Sequence, residues 1–235
     1  MTMQVPHDAI LLRIFIGADE RQPLAYHVCR ASLERHAGGP LLIAPLVLKW
    51  LPIKRRGLTD FTFSRYLCPH LCNYEGTSLF LDADIIARAD VRELESLAPA
   101  DAPVSLVKNK LRLEWPSVML FRNELCRSLT PEFVESGRPE AFEWAAKLGE
   151  LPAAWNHCVG YDAPNPAAKL IHYTQGIPCH PETEDCEYAE AWREEHREMN
   201  STVSWQELMG RSVHAKYVIR RLHAAGKGKQ YPPPA

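Results

Sequence analysis

The stretch Leu79-Phe80-Leu81-Asp82-Ala83-Asp84-Ile85-Ile86 most constrains what this chain can fold into. Its apolar residues enclose two carboxylates spaced two apart. A short apolar run with few polar interruptions is the pattern of a strand buried on both faces. Carboxylates in such surroundings are costly unless paired or bound to a metal. If the strand stops near Leu81, both acids stand at its carboxyl end, where open α/β sheets bind ligands. Strand alternation would send Asp82 and Asp84 to one side. Two hard oxygen donors on one side suit Mg²⁺ or Mn²⁺, with phosphate oxygens completing the shell. The competing reading is a solvated turn after a strand, because Asp-x-Asp alone is a short pattern.

The chain around this stretch is that of a globular α/β protein. Its 235 residues suffice for one large α/β domain or two small ones, and 46% apolar with 24% charged residues is ordinary for such a chain. A formal net charge of -2 gives no global pull toward nucleic acid. No apolar window is long enough for a membrane-spanning helix. The apolar run 9–18 is interrupted by Arg13 and lacks a basic leader, so it is not expected to be a signal peptide. Seven cysteines without a CxxC motif point to a reducing, cytoplasmic setting. His157, Cys158, Cys179, His180 and Cys186 match no common zinc spacing.

In chain order, 10–17 reads as a first buried strand ending in Gly17-Ala18-Asp19. A helix is expected from Pro23 to His36, with Pro suited to its first turn and Gly38 to its end. The turn between them lacks GxGxxG, which weakens a dinucleotide-binding reading. Asp19 is suited equally to a nucleoside contact and to a loop cap. A second strand over 41–48 carries Pro45, which favours an edge position. Lys54, Arg55 and Arg56 form a basic cluster, either a solvated face or a phosphate contact. A short helix containing Arg65 precedes the central strand, and a guanidinium there can clamp phosphate or sugar oxygens. Further strands are expected over 102–108 and 117–123, and helices capped by Asp90 and Thr130. Another helix is expected over 140–148, closed by Gly149. A last strand over 168–171 delivers His172, a candidate third metal ligand or a structural histidine. A helix over 182–198 pairs Tyr188 with Trp192. Beyond Glu207 the charged residues are cationic, Arg211, Lys216, Arg220, Arg221, Lys227 and Lys229 among them. That segment suits either a solvated helix and tail or a weak contact with anionic lipid.

Four stretches in this order resemble glycosyltransferase family 8, and more narrowly its bacterial members. They are Phe15-Ile16-Gly17-Ala18-Asp19, Phe63-Ser64-Arg65 leading to Phe80-Leu81-Asp82-Ala83-Asp84, Ser117-Val118-Met119-Leu120-Phe121, and Leu151-Pro152 through Asn156 followed by Ile171-His172-Tyr173-Thr174. The resemblance implies a GT-A fold: a Rossmann-like single domain over 1–199, with a mixed, mostly parallel central sheet flanked by helices. A basic C-terminal helix and tail would occupy 200–235. It implies a UDP-sugar donor, Mn²⁺ with Mg²⁺ as the alternative, a glycan or other acceptor, no nucleic acid, and retention of anomeric configuration. Ala18 and Asp19 would hold the uridine. Asp82, Ala83 and Asp84 would hold ribose and metal, with His172 completing the metal shell. Arg65 would touch donor phosphate or sugar, and Asn156, His157 and Asp162 would stand near the reacting carbon. The expected localisation is cytoplasmic, with peripheral contact at the inner membrane face through the basic C-terminus.

The chain departs from the family pattern in having no Asp-Gln-Asp between Asn123 and Leu151, and in reading Gln175-Gly176-Ile177-Pro178-Cys179 where a Lys-Pro-Trp element is usual. The alternative reading is a non-catalytic nucleotide-sugar or glycan-binding relative. A phosphatase of the haloacid dehalogenase type would place its Asp-x-Asp after the first strand, which this chain does not.

Overall fold

The computed structural model describes residues 11–108 and 112–201. The apolar run after Leu12 forms β1 (Arg13–Ala18), and Pro23 opens α1 (Pro23–His36), whose Ala25, Val28, Cys29 and Leu33 turn inward. Their spacing is the helical stripe that covers a sheet face. β2 (Leu42–Val47) returns parallel to β1 at the sheet edge, the place where Pro45 costs no ladder bond. The short helices α2 (Phe61–Ser64) and α3 (Cys68–Leu71), joined through a 3₁₀ turn over Arg65–Leu67, lead into β3 (Thr77–Leu81). Gly17 permits this passage: a Cβ there would stand 2.4 Å from the Phe61 ring.

After β3 the chain turns through Asp82, Ala83 and Asp84 into β4 (Ile85–Ala87). Asp90 accepts a bond from the Arg92 amide at 3.1 Å and starts a 3₁₀ turn that continues as α4 (Leu94–Leu97). β5 (Val104–Leu106) and β6 (Val118–Arg122) follow, the second preceded by a 3₁₀ segment over Arg112–Ser117. Thr130 caps α5 (Pro131–Ser136) by accepting from the Phe133 amide at 3.2 Å. β7 (Leu148–Glu150), β8 (His157–Cys158), β9 (Leu170–His172) and α6 (Ala189–Asn200) complete the order.

The main sheet runs β2-β1-β3-β6-β5-β7, with β6 antiparallel to both neighbours and the remaining pairs parallel. β4, β9 and β8 form a second, three-stranded sheet. Alternation divides the core between the two faces of the main sheet. Ile14, Ile16, Leu79 and Leu81 pack with α1 and with Trp192 of α6. Phe15, Phe80, Met119 and Phe121 pack with Phe61, Tyr66, Val134 and Phe142. This mixed α/β sheet with helices on both faces is the expected fold class.

Three local expectations are corrected. Residues 140–148 do not form a helix. A 3₁₀ turn over Pro139–Ala141 ends at Phe142, which takes a left-handed φ of 61°, and 148–150 pair with β5. Gly149 is therefore a strand residue, needed because a Cβ would meet Ser105 Oγ at 2.1 Å. The acid-rich helix begins at Ala189 rather than 182, because Tyr188 has φ 60° and starts it as a left-handed junction. Asp82 and Asp84 reach one side through a turn, not through strand alternation. The first compact unit ends at Met199. The basic segment expected beyond it lies outside the described residues.

Candidate functional site

Two pairings bring sequence-distant residues together at the carboxyl end of β3. β4 runs antiparallel to β9 with Ile85 opposite His172, and the Tyr173 amide donates to the Asp84 carbonyl at 3.0 Å. The register thus sets His172 beside the acid turn. Its Nε2 lies 3.2 Å from Asp84 Oδ1 and 3.9 Å from Asp82 Oδ2. One ligand atom from each of the three residues lies within 4.8 Å of the other two. Among the described residues this is the one such cluster of His, Cys, Asp and Glu. The His157–Cys186 set assembles no comparable group, and all seven cysteines are free thiols.

Asp82 and His172 are buried while Asp84 is partly exposed, and the charges of the two buried groups are strongly perturbed. Burial, reinforced by the Asp84 charge, pushes the Asp82 carboxyl up to about 6, against the pull of Arg65. Burial of His172 opposes its charge, but the adjoining Asp84 carboxylate outweighs that and holds the ring protonated well above the usual histidine range. Asp82 Oδ1 stands 3.0 Å from Arg65 Nη2, at an angle that makes no hydrogen bond, so this buried oxygen is left without one. A buried, under-satisfied carboxylate oxygen beside a second carboxylate and an imidazole fits a divalent cation. The mixed oxygen and nitrogen set is compatible with Mn²⁺ and less suited to Ca²⁺.

Arg65 is held rigidly. Its Nε donates to the Phe61 carbonyl at 3.2 Å and its Nη1 to the Pro116 carbonyl at 2.9 Å, while the guanidinium carbon lies 4.8 Å from the Phe80 ring centre. Nη2 is the part turned to Asp82. Neighbouring carbonyls anchor the other site residues. The Asp82 amide donates to the Ser117 carbonyl at 3.0 Å, and Asn156 Nδ2 donates to the Glu114 carbonyl at 3.1 Å. The 114–117 segment is therefore the hub on which Arg65, Asp82 and Asn156 are hung. Backbone carbonyls carry no sequence signature, so sequence reasoning had no means of finding it.

The remaining candidates separate. Asn156 is fully buried with Oδ1 3.1 Å from His172 Nδ1. Cys158 pairs with His172 and His157 with Ile171, so the His157 side chain leaves on the opposite face of β8. Its Nε2 meets Glu187 at 3.3 Å and its ring meets Tyr188 edge-on. Asp162 Oδ2 accepts from the Cys158 amide at 2.8 Å and closes the loop after β8. Neither His157 nor Asp162 is brought to the cluster. The Ala83 side chain belongs to the core beneath the turn.

Ala18 and Asp19, at the end of β1, line a cleft of about 280 Å³ with Pro23, Tyr26, Pro45 and Leu48. Asp19 is already engaged. Arg21 Nε and Nη2 bind its two oxygens at 2.9 and 2.6 Å, and the Asp60 amide adds a bond at 3.2 Å. The Arg21 bonds hold its carboxyl well below the usual range. It pins the 58–60 loop to the rim of the cleft through these partners.

No family model matches the chain. Among solved structures it is similar to the bifunctional glycosyltransferase WbbM (TM-score 0.61, 16% identity, 87% of this chain and 52% of that one). It is also similar to the glycosyltransferase GlyE of Streptococcus pneumoniae TIGR4 (TM-score 0.58, 19% identity, 79% of this chain and 60% of that one). A third is the galactosyltransferase LgtC in complex with donor and acceptor sugar analogs (TM-score 0.57, 13% identity, 83% of this chain and 98% of that one). The chain thus spans about half of WbbM and 60% of GlyE, but nearly all of LgtC. The class defined by fold and site is a GT-A α/β protein with an Asp–Asp–His cluster at the carboxyl end of its central strand. Within it, the chain is 30% identical over 227 residues to Protein CDI of Arabidopsis thaliana, matched over 80% of this chain and 87% of that protein. It belongs to the family of that plant protein.

Proposed function

We propose that the protein is a metal-dependent glycosyltransferase of the family-8 type, transferring a hexose from a UDP-sugar to a glycan or other acceptor with retention. The observation that carries this reading is the convergence of Asp82, Asp84 and His172, with a buried carboxylate oxygen left without a hydrogen bond. The solved neighbours named as glycosyltransferases, LgtC among them with donor and acceptor sugar analogs, support it. Asp82, Asp84 and His172 would hold Mn²⁺, or Mg²⁺ in its place. When bound, such an ion supplies Lewis-acid neutralisation of a diphosphate leaving group. Arg65, locked by two carbonyls, offers a fixed cation beside the same place, where preorganised charge is most effective. The cleft at Ala18 and Asp19 would take the nucleoside between Tyr26, Pro45 and Leu48. The basic residues between 211 and 229 are proposed as a peripheral contact with anionic lipid.

Calorimetry of UDP binding with and without Mn²⁺, followed by a UDP-sugar panel scored for hydrolysis and transfer, tests the reading. Asp84→Ala should abolish the metal-dependent part of UDP affinity. A variant that binds UDP with near-normal metal dependence would falsify the assignment. The second reading, a non-catalytic nucleotide-sugar or glycan-binding protein, is favoured by the missing Asp-Gln-Asp and Lys-Pro-Trp elements. Metal-dependent UDP binding without turnover on any donor would select it.

A further inference from the structure

We propose that Asn156 is a positioning residue: it fixes the tautomer and ring plane of His172 so that the Nε2 lone pair faces Asp82 and Asp84. The inference rests on the metal-site reading above and assigns a role within it. Asn156 follows a 3₁₀ turn over Ala153–Trp155 and is fully buried. Its Nδ2 donates to the Glu114 carbonyl at 3.1 Å, and its Oδ1 lies 3.1 Å from His172 Nδ1 and 3.9 Å from the Cys158 thiol. A backbone carbonyl only accepts, so the amide nitrogen must be the atom facing Glu114. The reversed amide would set two carbonyl oxygens against each other. The oxygen left facing the ring can in turn only accept, so Nδ1 must carry a proton. In the neutral ring the lone pair then resides on Nε2. Nε2 is the atom 3.2 Å from Asp84 Oδ1 and 3.9 Å from Asp82 Oδ2.

A competing acceptor for Nδ1 stands nearby but is occupied elsewhere. Glu114 Oε2 is 3.9 Å from Nδ1, too far for a hydrogen bond, and accepts from Ser117 Oγ at 3.0 Å. Asn156 Oδ1 therefore accepts from the ring's inner nitrogen, with the Cys158 thiol as a further partner of the ring, and the Nδ2 bond ties Asn156 to the hub at 114–117. Groups that hold the second nitrogen of a ligating histidine are typically worth about 10–100-fold in metal affinity.

Two measurements on the full chain test this. In protein loaded with Mg²⁺, which takes the place of the proton between Nε2 and Asp84, long-range ¹H–¹⁵N correlation of the His172 imidazole should show the Nδ1–H tautomer. An Nε2–H tautomer would overturn the inference, and this readout needs no variant. Mn²⁺ binding without nucleotide, followed by electron paramagnetic resonance, should weaken about 10–100-fold in Asn156→Ala. Asn156→Asp keeps the acceptor and should keep the Nδ1–H tautomer, with affinity nearer to the unaltered protein. Mn²⁺ affinity unchanged in a folded Asn156→Ala overturns the inference and leaves the metal site standing. Failure of the unaltered protein to bind Mn²⁺ overturns the metal-site reading and this inference with it.

Discussion

At the scale of single residues, the cluster is a set of charges that exist together only because they are coupled. His172 is held protonated above its usual range by the acids, and Asp82 is lifted to about 6 by burial. A cation and these protons compete for the same atoms. Mn²⁺ affinity should therefore rise with pH, first as Asp82 ionises near 6 and further as His172 loses its proton above the ordinary imidazole range. Titration calorimetry across pH checks this, and a flat profile would remove the three residues as the ligand set. Arg65 joins stability to function. Arg65→Ala strands the Asp82 carboxylate in the interior and unpairs two carbonyls, so we expect a loss of about 3 kcal/mol in denaturant unfolding. Arg65→Lys keeps charge but not the fork, and should recover only part of that loss.

At the scale of elements, short segments are held by a few specific contacts. Thr130 caps α5 at its first turn. Thr130→Ala should cost about 1 kcal/mol without altering Mn²⁺ binding. β7 exists because Gly149 lets it approach Ser105 of β5. Gly149→Ala should destabilise by about 1–3 kcal/mol through overpacking, read as a shift of the urea midpoint at unchanged slope. No local pattern announces this strand. Its residues have helical spacing, and only the pairing partner, far away in the chain, outweighs that preference. The β1–α1 unit was legible because periodicity, Pro23 and the closing glycines all agree. The Asp-x-Asp turn was legible for a different reason: no other stretch sets acids inside so apolar a run.

At the scale of the molecule, α6 is locked onto α1 by a buried carboxylate. Glu195 accepts from Arg35 and lies 3.1 Å from His36 Nε2, with Trp192 beside it in the core. Arg35 and His36 are partly exposed and can turn to water when Glu195 is removed. Glu195→Ala should therefore cost about 1–3 kcal/mol, the range for hydrogen bonds to charged groups. Hydrogen exchange should show the loss as faster opening of α6, with the protection of β1 and β3 falling only by the global amount. Equal, selective loss at β3 would mean that α6 supports the site directly.

By itself the sequence determined the strand–helix opening, the buried central strand and the identity of the two acids and the late histidine. Each is written locally, in periodicity, caps and residue chemistry. Tertiary structure alone decided that His172 stands against Asp84, that Asn156 rather than His157 faces its ring, and that the carbonyls of 114–117 hold the site together. Those outcomes depend on strand register and on backbone atoms that every residue shares. A one-residue slip of β8 against β9 would exchange the faces of Asn156 and His157 while leaving every letter of the chain unchanged.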